Sequence, residues 1–140
     1  MPFDDEIPPY DYAEPPPELD RYAHAVIGAA IEVHRELGAG HLEEAYERAL
    51  AAEMRLRGIP FAQQVKMPLF YKGEKISESR IDFVVGGLLV VEIKSCDCLA
   101  PIHKAQVIAY LKMTKQTLAL LINFNVPVLK DGIRRIIYQK

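Results

Sequence analysis

The segment that most constrains the fold of this chain is Leu-Leu-Val-Val at residues 88–91, which is apolar at every position. Successive side chains of a strand point to opposite faces of the sheet. A strand of this composition must therefore be covered on both sides. A second segment of the same kind, Leu-Ala-Leu-Leu-Ile-Asn-Phe, follows at residues 118–124. The sequence predicts a covered sheet with the strands around residue 88 near its centre.

Three segments have the i, i+3, i+4 apolar spacing of amphipathic helices. They cover residues 19–37, which end at a Gly-Ala-Gly turn, residues 42–57, which stop at Gly58 and Pro60, and residues 101–114, which begin with Pro101. A proline is tolerated in the first turn of a helix, so Pro101 suits a helix start. The predicted inward stripe of the third helix comprises Ile102, Ala105, Gln106, Ala109, Tyr110 and Met113.

After Pro60 the apolar period changes to two, which is typical of strands. Phe61, Gln63, Val65 and Met67 alternate with polar neighbours, and Lys72-Gly73 indicates a hairpin turn. Further strands are predicted at residues 76–85, 88–95, 118–124 and 133–138, the last at a sheet edge because it carries paired arginines. The predicted fold class is α/β with a mixed sheet.

Residues 1–17 contain six of the ten prolines and little that could pack into a core, which predicts a disordered arm. Residues 18–140 are then a single domain, a length that buries most of the surface of its unfolded chain. Seven of the 19 acidic residues lie within residues 1–20. The rest of the chain carries 12 acidic and all 17 basic side chains, an excess that would favour a nucleic-acid partner.

Composition also narrows the location of the protein. No apolar run approaches the roughly 18 residues of a membrane helix, and the acidic, proline-rich N-terminus does not resemble a secretory signal. The expected location is the cytoplasm, with no membrane partner. Cys96 and Cys98 are the only cysteines and are expected to be reduced thiols, because neighbours so close on a strand exit make a strained disulfide.

Asp82, Glu92 and Lys94 are ionisable residues within apolar strands. Charged groups in a dry interior are costly unless they are paired or bind a metal. Glu92 and Lys94 are two residues apart and leave a strand by the same face. A three-residue loop, residues 86–88, would pair Asp82 directly with Glu92, whereas a two-residue loop would turn them apart. The site therefore predicts an odd-length loop, and its two glycines can supply positive φ.

Two carboxylates that converge on one point suit a hard cation such as Mg²⁺ or Mn²⁺. Lys94 could then orient a metal-bound water or hold a phosphate oxygen during hydrolysis of a phosphodiester. Spacing alone leaves a second interpretation equally open. In it, Asp82, Glu92 and Lys94 form a buried ion pair that only fixes strand register.

An ordered set of motifs resembles the GxxExxY proteins, a family of the PD-(D/E)XK nuclease superfamily. The motifs are GHLEEAY with Gly40, Glu43 and Tyr46, RIDFVV with Asp82, VEIK with Glu92 and Lys94, AQVIAYL with Gln106 and Tyr110, and the closing LLINFNVPVLKDGIRRII. The resemblance covers about residues 26–137. Ile81 stands where the superfamily name has proline.

This resemblance implies a restriction-endonuclease-like core of a helix, three antiparallel strands, a helix and a strand, with one extra N-terminal helix. It implies a Mg²⁺- or Mn²⁺-dependent nuclease in which Asp82, Glu92, the Ile93 carbonyl and Glu43 hold the metal. Lys94 and Gln106 complete the catalytic set. From the residues alone, a helix-dipole partner is the favoured interpretation of Glu43, and the resemblance reverses that preference. Gln106 is equally a buried amide bonded to Tyr110.

Two other functions remain open at this point. The chain could be a binding module that keeps the nuclease fold without turnover and acts through nucleic-acid or protein contacts, also as a homodimer. It could also keep the three charges for structure alone. An intact set of Asp82, Glu92 and Lys94 favours the catalytic hypothesis, because a chain released from catalysis has no reason to retain charges in apolar strands.

Overall fold

The structure is a computed structural model that describes residues 16–139. Its elements follow in the order α1 (Pro17–Leu37), α2 (Glu43–Leu56), β1 (Phe61–Tyr71), β2 (Glu74–Val85), β3 (Leu89–Lys94), α3 (Pro101–Thr114), β4 (Leu118–Asn123), a 3₁₀ turn (Leu129–Gly132) and β5 (Ile133–Ile137). All three predicted helices and all five predicted strands are confirmed, with ends that differ by a few residues at most.

The five strands form one mixed sheet in the order β1-β2-β3-β4-β5. The strands β1, β2 and β3 are antiparallel, β3 and β4 are parallel, and β5 returns antiparallel to β4. A parallel pair needs a long crossover, and α3 provides it between β3 and β4. The predictions of a central β3 and of an edge position for β5 are confirmed.

Helices cover both faces of the sheet and create two hydrophobic cores. The larger core lies under α1 and α2 and includes Tyr46, Val91 and Phe124, and the smaller one lies under α3 and includes Val90 and Leu111. Every residue of β4 is buried, as are the first five residues of β3. The apolar runs at residues 88–91 and 118–124 thus have the two-sided burial that their composition predicts.

The predicted inward stripe of α3 is confirmed at Tyr110 and Met113, which pack in the core under α3, and is wrong for the first half of the helix. Its buried residues are Val107, Tyr110 and Leu111, whereas Ile102 is 69% exposed and Gln106 is exposed as well. Apolar residues occur on every side of this helix, so their spacing does not select one face. The sheet surface selects the face instead. The interpretation of Gln106 as a buried amide bonded to Tyr110 is therefore wrong too.

The turn between β2 and β3 has the predicted odd length. Val85 pairs with Leu89, so three residues, 86–88, form the loop. Gly86 and Gly87 have φ of 60° and 71°, the left-handed region that favours glycine. At Gly86 a Cβ would also lie 2.3 Å from the ring of Tyr22 on α1, whereas at Gly87 it would meet nothing within 4 Å.

The predicted N-terminal arm, a membrane-spanning helix and the state of the cysteines complete the comparison of the predictions with the structure. The predicted arm, residues 1–17, lies outside the described residues except for Pro16 and Pro17, and Pro17 begins α1. Within residues 16–139, no helix has the length and apolar character needed to cross a membrane. Cys96 and Cys98 are both free thiols, as predicted.

We expect Gly86→Ala to destabilise the protein more than Gly87→Ala. Both changes place a side chain in left-handed backbone, which costs about 1–2 kcal/mol, but only the first also forces Tyr22 to move, for about 1–3 kcal/mol more. Urea unfolding of the two variants measures the difference. Equal losses of unfolding free energy would contradict the Tyr22 contact.

Candidate metal centre

The regular hydrogen bonding of the sheet is interrupted at Asp82. In the β1–β2 ladder Gln63 pairs with Phe83 and Val65 pairs with Ile81. Gln64 and Asp82, which lie between these pairs, do not pair with each other. The β2–β3 ladder stops at Phe83 and Val91. Asp82 therefore lies where both ladders of its strand break, and its backbone needs other partners.

Two carboxylates replace the missing backbone bonds between β2 and β3. The backbone N–H of Asp82 donates to Oε1 of Glu92 at 2.7 Å. The backbone N–H of Ile93 donates to Oδ2 of Asp82 at 2.8 Å. This reciprocal pair of bonds, here called the carboxylate clasp, brings Asp82 and Glu92 together as predicted. It differs from the predicted ladder pairing because side chains, not backbone carbonyls, close the gap.

The break also changes the face of the sheet to which the side chains of β1 and β2 point. Phe61 and Phe83 pack in the core under α1 and α2, whereas Val65 and Ile81 pack in the core under α3. Residues an even number apart on one strand normally share a face, so each strand changes faces between these positions. The clasp at Asp82 lies at this crossing.

Burial and mutual repulsion disfavour the charged forms of both carboxyl groups. Glu92 is only 4% exposed. Its burial, followed by the negative charge of Asp82, raises the pKa of Glu92 to about 8. Burial likewise raises the pKa of Asp82 to about 6, with smaller contributions from Glu47 and Glu43 and an opposing one from the N–H of Ile93. The pair holds a proton at neutral pH unless positive charge arrives.

Lys94 is half-buried at the end of β3. Its charge lowers the pKa of both Asp82 and Glu92, so it lies within electrostatic range of the clasp. Among residues 16–139, however, no salt bridge joins Lys94 to either carboxylate. The geometry does not provide the close ion pair that a purely structural role would require.

Two acidic residues reach toward the clasp from α2. Glu43 is the first residue of the helix and is exposed, whereas Glu47, one turn later, is half-buried. Both negative charges raise the pKa of Asp82, and Glu47 contributes more than Glu43. Residues four apart on a helix lie on the same face. The face of α2 that carries Glu43 is therefore directed at β2.

Tyr46 fixes the turn from which Glu43 projects. Its hydroxyl donates to the carbonyl of Gly38 at 2.5 Å and accepts from the N–H of His41 at 3.2 Å. Its ring is fully buried and stacks on Phe124 with the centroids 4.6 Å apart. The tyrosine of the G-x-x-E-x-x-Y motif thus orients the start of α2 against the sheet.

Asn123 joins the end of β4 to the segment after Lys94. Its Oδ1 accepts from the N–H of Cys96 at 3.1 Å, and its Nδ2 donates to the carbonyl of Cys96 at 2.9 Å. Asn123 is buried, so these bonds satisfy an amide that would otherwise be costly. They hold the chain beyond Lys94 against the sheet.

On the α3 side, Tyr110 is the residue that faces the clasp. Burial, then the charges of Glu92 and Asp82, raise the pKa of Tyr110 to about 12, so its hydroxyl stays protonated. Gln106 lies one turn earlier and is exposed. Within the described part of the chain, no hydrogen bond joins Gln106 to Asp82, Glu92 or Lys94.

Three residues near the clasp were not singled out as site residues from the sequence: Glu47, Gln64 and Tyr110. Glu47 was detectable, because it follows Glu43 by four residues on the same helix. Tyr110 was visible as part of a motif, although without a role. Gln64 gave no signal, because its place at the clasp depends on a left-handed backbone, φ 53°, in the middle of a strand.

The candidate metal ligands of this site are few, but they suit Mg²⁺. No group of three or more His, Cys, Asp or Glu side chains within residues 16–139 is arranged to hold an ion. Mg²⁺ usually needs only one or two protein carboxylates and completes its octahedron with waters and phosphate oxygens. The Asp82–Glu92 pair supplies two oxygen ligands whose buried charge a divalent cation would neutralise.

Comparison with known proteins agrees with this fold. A family model described as the PD-(D/E)XK nuclease superfamily matches residues 20–136, well over half of the chain, so the chain belongs to that superfamily. Its α/β architecture is the restriction-endonuclease-like fold. The narrower resemblance to the GxxExxY proteins stays a prediction. No curated protein and no solved structure matches the chain.

We expect the metal-free protein to lose stability as the pH rises from about 4.5 to about 8. Folded Glu92 keeps its proton up to a pKa of about 8, whereas in the unfolded chain Glu92 releases its proton near the ordinary glutamate pKa of 4.5. Between these two pKa values the unfolded state binds fewer protons than the folded state. The free energy of unfolding therefore falls by up to roughly 1.4 kcal/mol per pH unit for each proton. Urea unfolding in EDTA at several pH values measures this slope.

Glu92→Gln should remove most of that slope, because the amide does not titrate. The matched control is Glu78→Gln, since Glu78 lies on β2 and its pKa is lowered, mainly by its hydrogen bond with Lys75. This control should keep the wild-type slope. A Glu92→Gln curve parallel to that of the wild type would contradict the raised pKa of Glu92.

Proposed function

We propose that this protein hydrolyses phosphodiester bonds of nucleic acid with the help of Mg²⁺ or Mn²⁺. The observation that carries the proposal is the carboxylate clasp, in which Asp82 and Glu92 are buried side by side at a break in the sheet. Membership of the PD-(D/E)XK nuclease superfamily supports a nuclease in general terms. The clasp supplies the particular residues.

The proposed ligands are Asp82, Glu92 and the carbonyl of Ile93. The N–H of Ile93 points toward β2, where it donates to Asp82. In an antiparallel pair, a residue directs its N–H and its carbonyl to the same neighbouring strand. The carbonyl of Ile93 therefore also faces the gap between β2 and β3, next to the carboxylates. Glu43 supports the same ion from the start of α2.

A divalent ion bound there would withdraw charge from the phosphate and lower the pKa of a bound water. Lys94 is placed to hold a phosphate oxygen or to orient the attacking water, since it is within electrostatic range of both carboxylates without pairing to either. The burial of Glu92 excludes bulk water from one side of the site, which strengthens every charge interaction in it.

Gln106 belongs to the substrate side of the proposed site. Its exposed position on α3, one turn before Tyr110, suits a contact with a phosphate of the nucleic acid better than a bond to β3. The charge of the chain supports the same partner, since residues 21–140 carry 17 basic and 12 acidic side chains. A cytoplasmic location and a homodimer are further proposals.

Metal binding is the first test. Calorimetric titration of the wild type with Mn²⁺ should show saturable binding, and Asp82→Asn should weaken it by at least about tenfold, because a ligand charge is lost. Glu78→Gln, a change to an exposed carboxylate on the same strand, should bind Mn²⁺ like the wild type. The absence of Mn²⁺ binding to the wild type would contradict the proposed metal site.

Cleavage is the second test. Single-stranded, double-stranded and branched DNA and RNA are incubated with the protein and Mg²⁺ or Mn²⁺, and Lys94→Ala is compared at equal Mn²⁺ occupancy. Lys94→Ala should cut at least about a hundredfold more slowly, since a positioned catalytic group contributes 10²–10⁴ in rate. Equal cleavage by both proteins would indicate a contaminant. Metal binding without cleavage of any substrate would favour the silent binding module.

A further inference from the structure

Glu47 on α2 is held more firmly than any other acidic side chain near the clasp. Nε2 of Gln63 donates to its Oε2 at 2.7 Å, and Nε2 of Gln64 lies 2.9 Å from each of its two oxygens. A carboxylate on a helix surface usually moves among several rotamers. Here two amides from β1 fix its direction relative to β2.

These contacts need an unusual backbone. Gln63 and Gln64 are consecutive on β1, and consecutive strand side chains point to opposite faces. Both nevertheless reach the same carboxylate, because Gln64 has a φ of 53°. The other two described non-glycine residues with positive φ, Lys72 and Lys115, lie in a hairpin turn and at a helix C-cap, where this conformation is ordinary. Left-handed backbone inside a strand is strained and needs compensation.

Gln64 also links Glu47 to the clasp. The same Nε2 atom lies 3.3 Å from Oδ1 of Asp82, the oxygen that is not used by the N–H of Ile93. Gln64 therefore connects the carboxylate of Glu47 to Oδ1 of Asp82. Glu47 is thereby fixed beside the place where the proposed ion would bind, at a greater depth than the exposed Glu43.

We propose that Glu47, fixed by the left-handed Gln64, is a positioning residue for the proposed metal site and accepts hydrogen bonds from water molecules that the ion carries. This role rests on the proposed function, since it requires the ion at Asp82 and Glu92. Groups in this position orient the ligands and the waters of a metal, and their loss usually weakens metal affinity 10–100-fold. Gln64 acts through Glu47 and through its own contact with Oδ1 of Asp82, so its strained backbone serves the site.

The test is calorimetric titration with Mn²⁺ of four variants, each also examined by urea unfolding without metal. Glu47→Gln should bind Mn²⁺ about tenfold more weakly than the wild type. Glu44→Gln is the matched control, because Glu44 lies on the same helix, is exposed and pairs with Arg48. It should bind Mn²⁺ like the wild type.

Gln64→Gly separates positioning from stability. Glycine adopts a φ of 53° without strain, so the urea midpoint should stay close to that of the wild type while Mn²⁺ affinity falls several-fold. The double variant Glu47→Gln/Gln64→Gly should lose less Mn²⁺ affinity than the sum of the two single losses, because Gln64 acts in part through Glu47 and in part through its own contact with Asp82. Additive losses would overturn the role of Gln64.

The remaining outcomes are distinguishable. If the wild type binds Mn²⁺ and Glu47→Gln binds it equally well, the role of Glu47 is overturned and the metal site stands. A lower urea midpoint with unchanged Mn²⁺ affinity has the same meaning, since it shows that Glu47 only attaches α2 to β1. If the wild type binds no Mn²⁺, the metal site and the role of Glu47 are both overturned.

Discussion

The pair of hydrogen bonds that the carboxylates of Asp82 and Glu92 accept from backbone N–H groups of the opposite strand is the interaction on which the centre of this molecule depends. Each carboxylate accepts a hydrogen bond from a backbone N–H of the opposite strand. These side-chain bonds replace the backbone bonds that the interrupted ladder lacks. The arrangement keeps β2 and β3 together where their backbone ladder ends. It also brings two negative charges close together, which explains why the pKa of both groups is raised.

The surrounding elements all support this arrangement. The three-residue loop after Val85 sets the register that brings residue 82 opposite residue 92, and the contact of Gly86 with Tyr22 keeps α1 close to this loop. Tyr46 anchors the start of α2, which carries Glu43 and Glu47. The sheet face under α3 is closed by Tyr110. Three layers therefore converge on one break in hydrogen bonding.

The strained and buried groups are concentrated at this break, away from the rest of the sheet. Gln64 has left-handed backbone, Glu92 is a buried acid, and neither is needed to form a mixed five-stranded sheet. Structures tolerate such features where surrounding contacts over-determine them, and they recur at functional sites. A neutral, regular pairing at this position would give a more stable sheet, and the absence of that pairing is what the proposed metal site explains.

The sequence by itself determined the order of the elements, the central β3 and the odd-length loop, because apolar period, glycine positions and strand parity are local properties. Strand parity also shows that Asp82 and Glu92 can lie opposite each other only across a loop of odd length, which is the length found in the structure. Only the tertiary structure decided which face of α3 is buried, since apolar residues surround that helix and the sheet makes the choice. It also decided the contacts of Glu47 and Gln64, because these depend on one backbone angle and on the distance between α2 and β1, and neither leaves a pattern in the sequence.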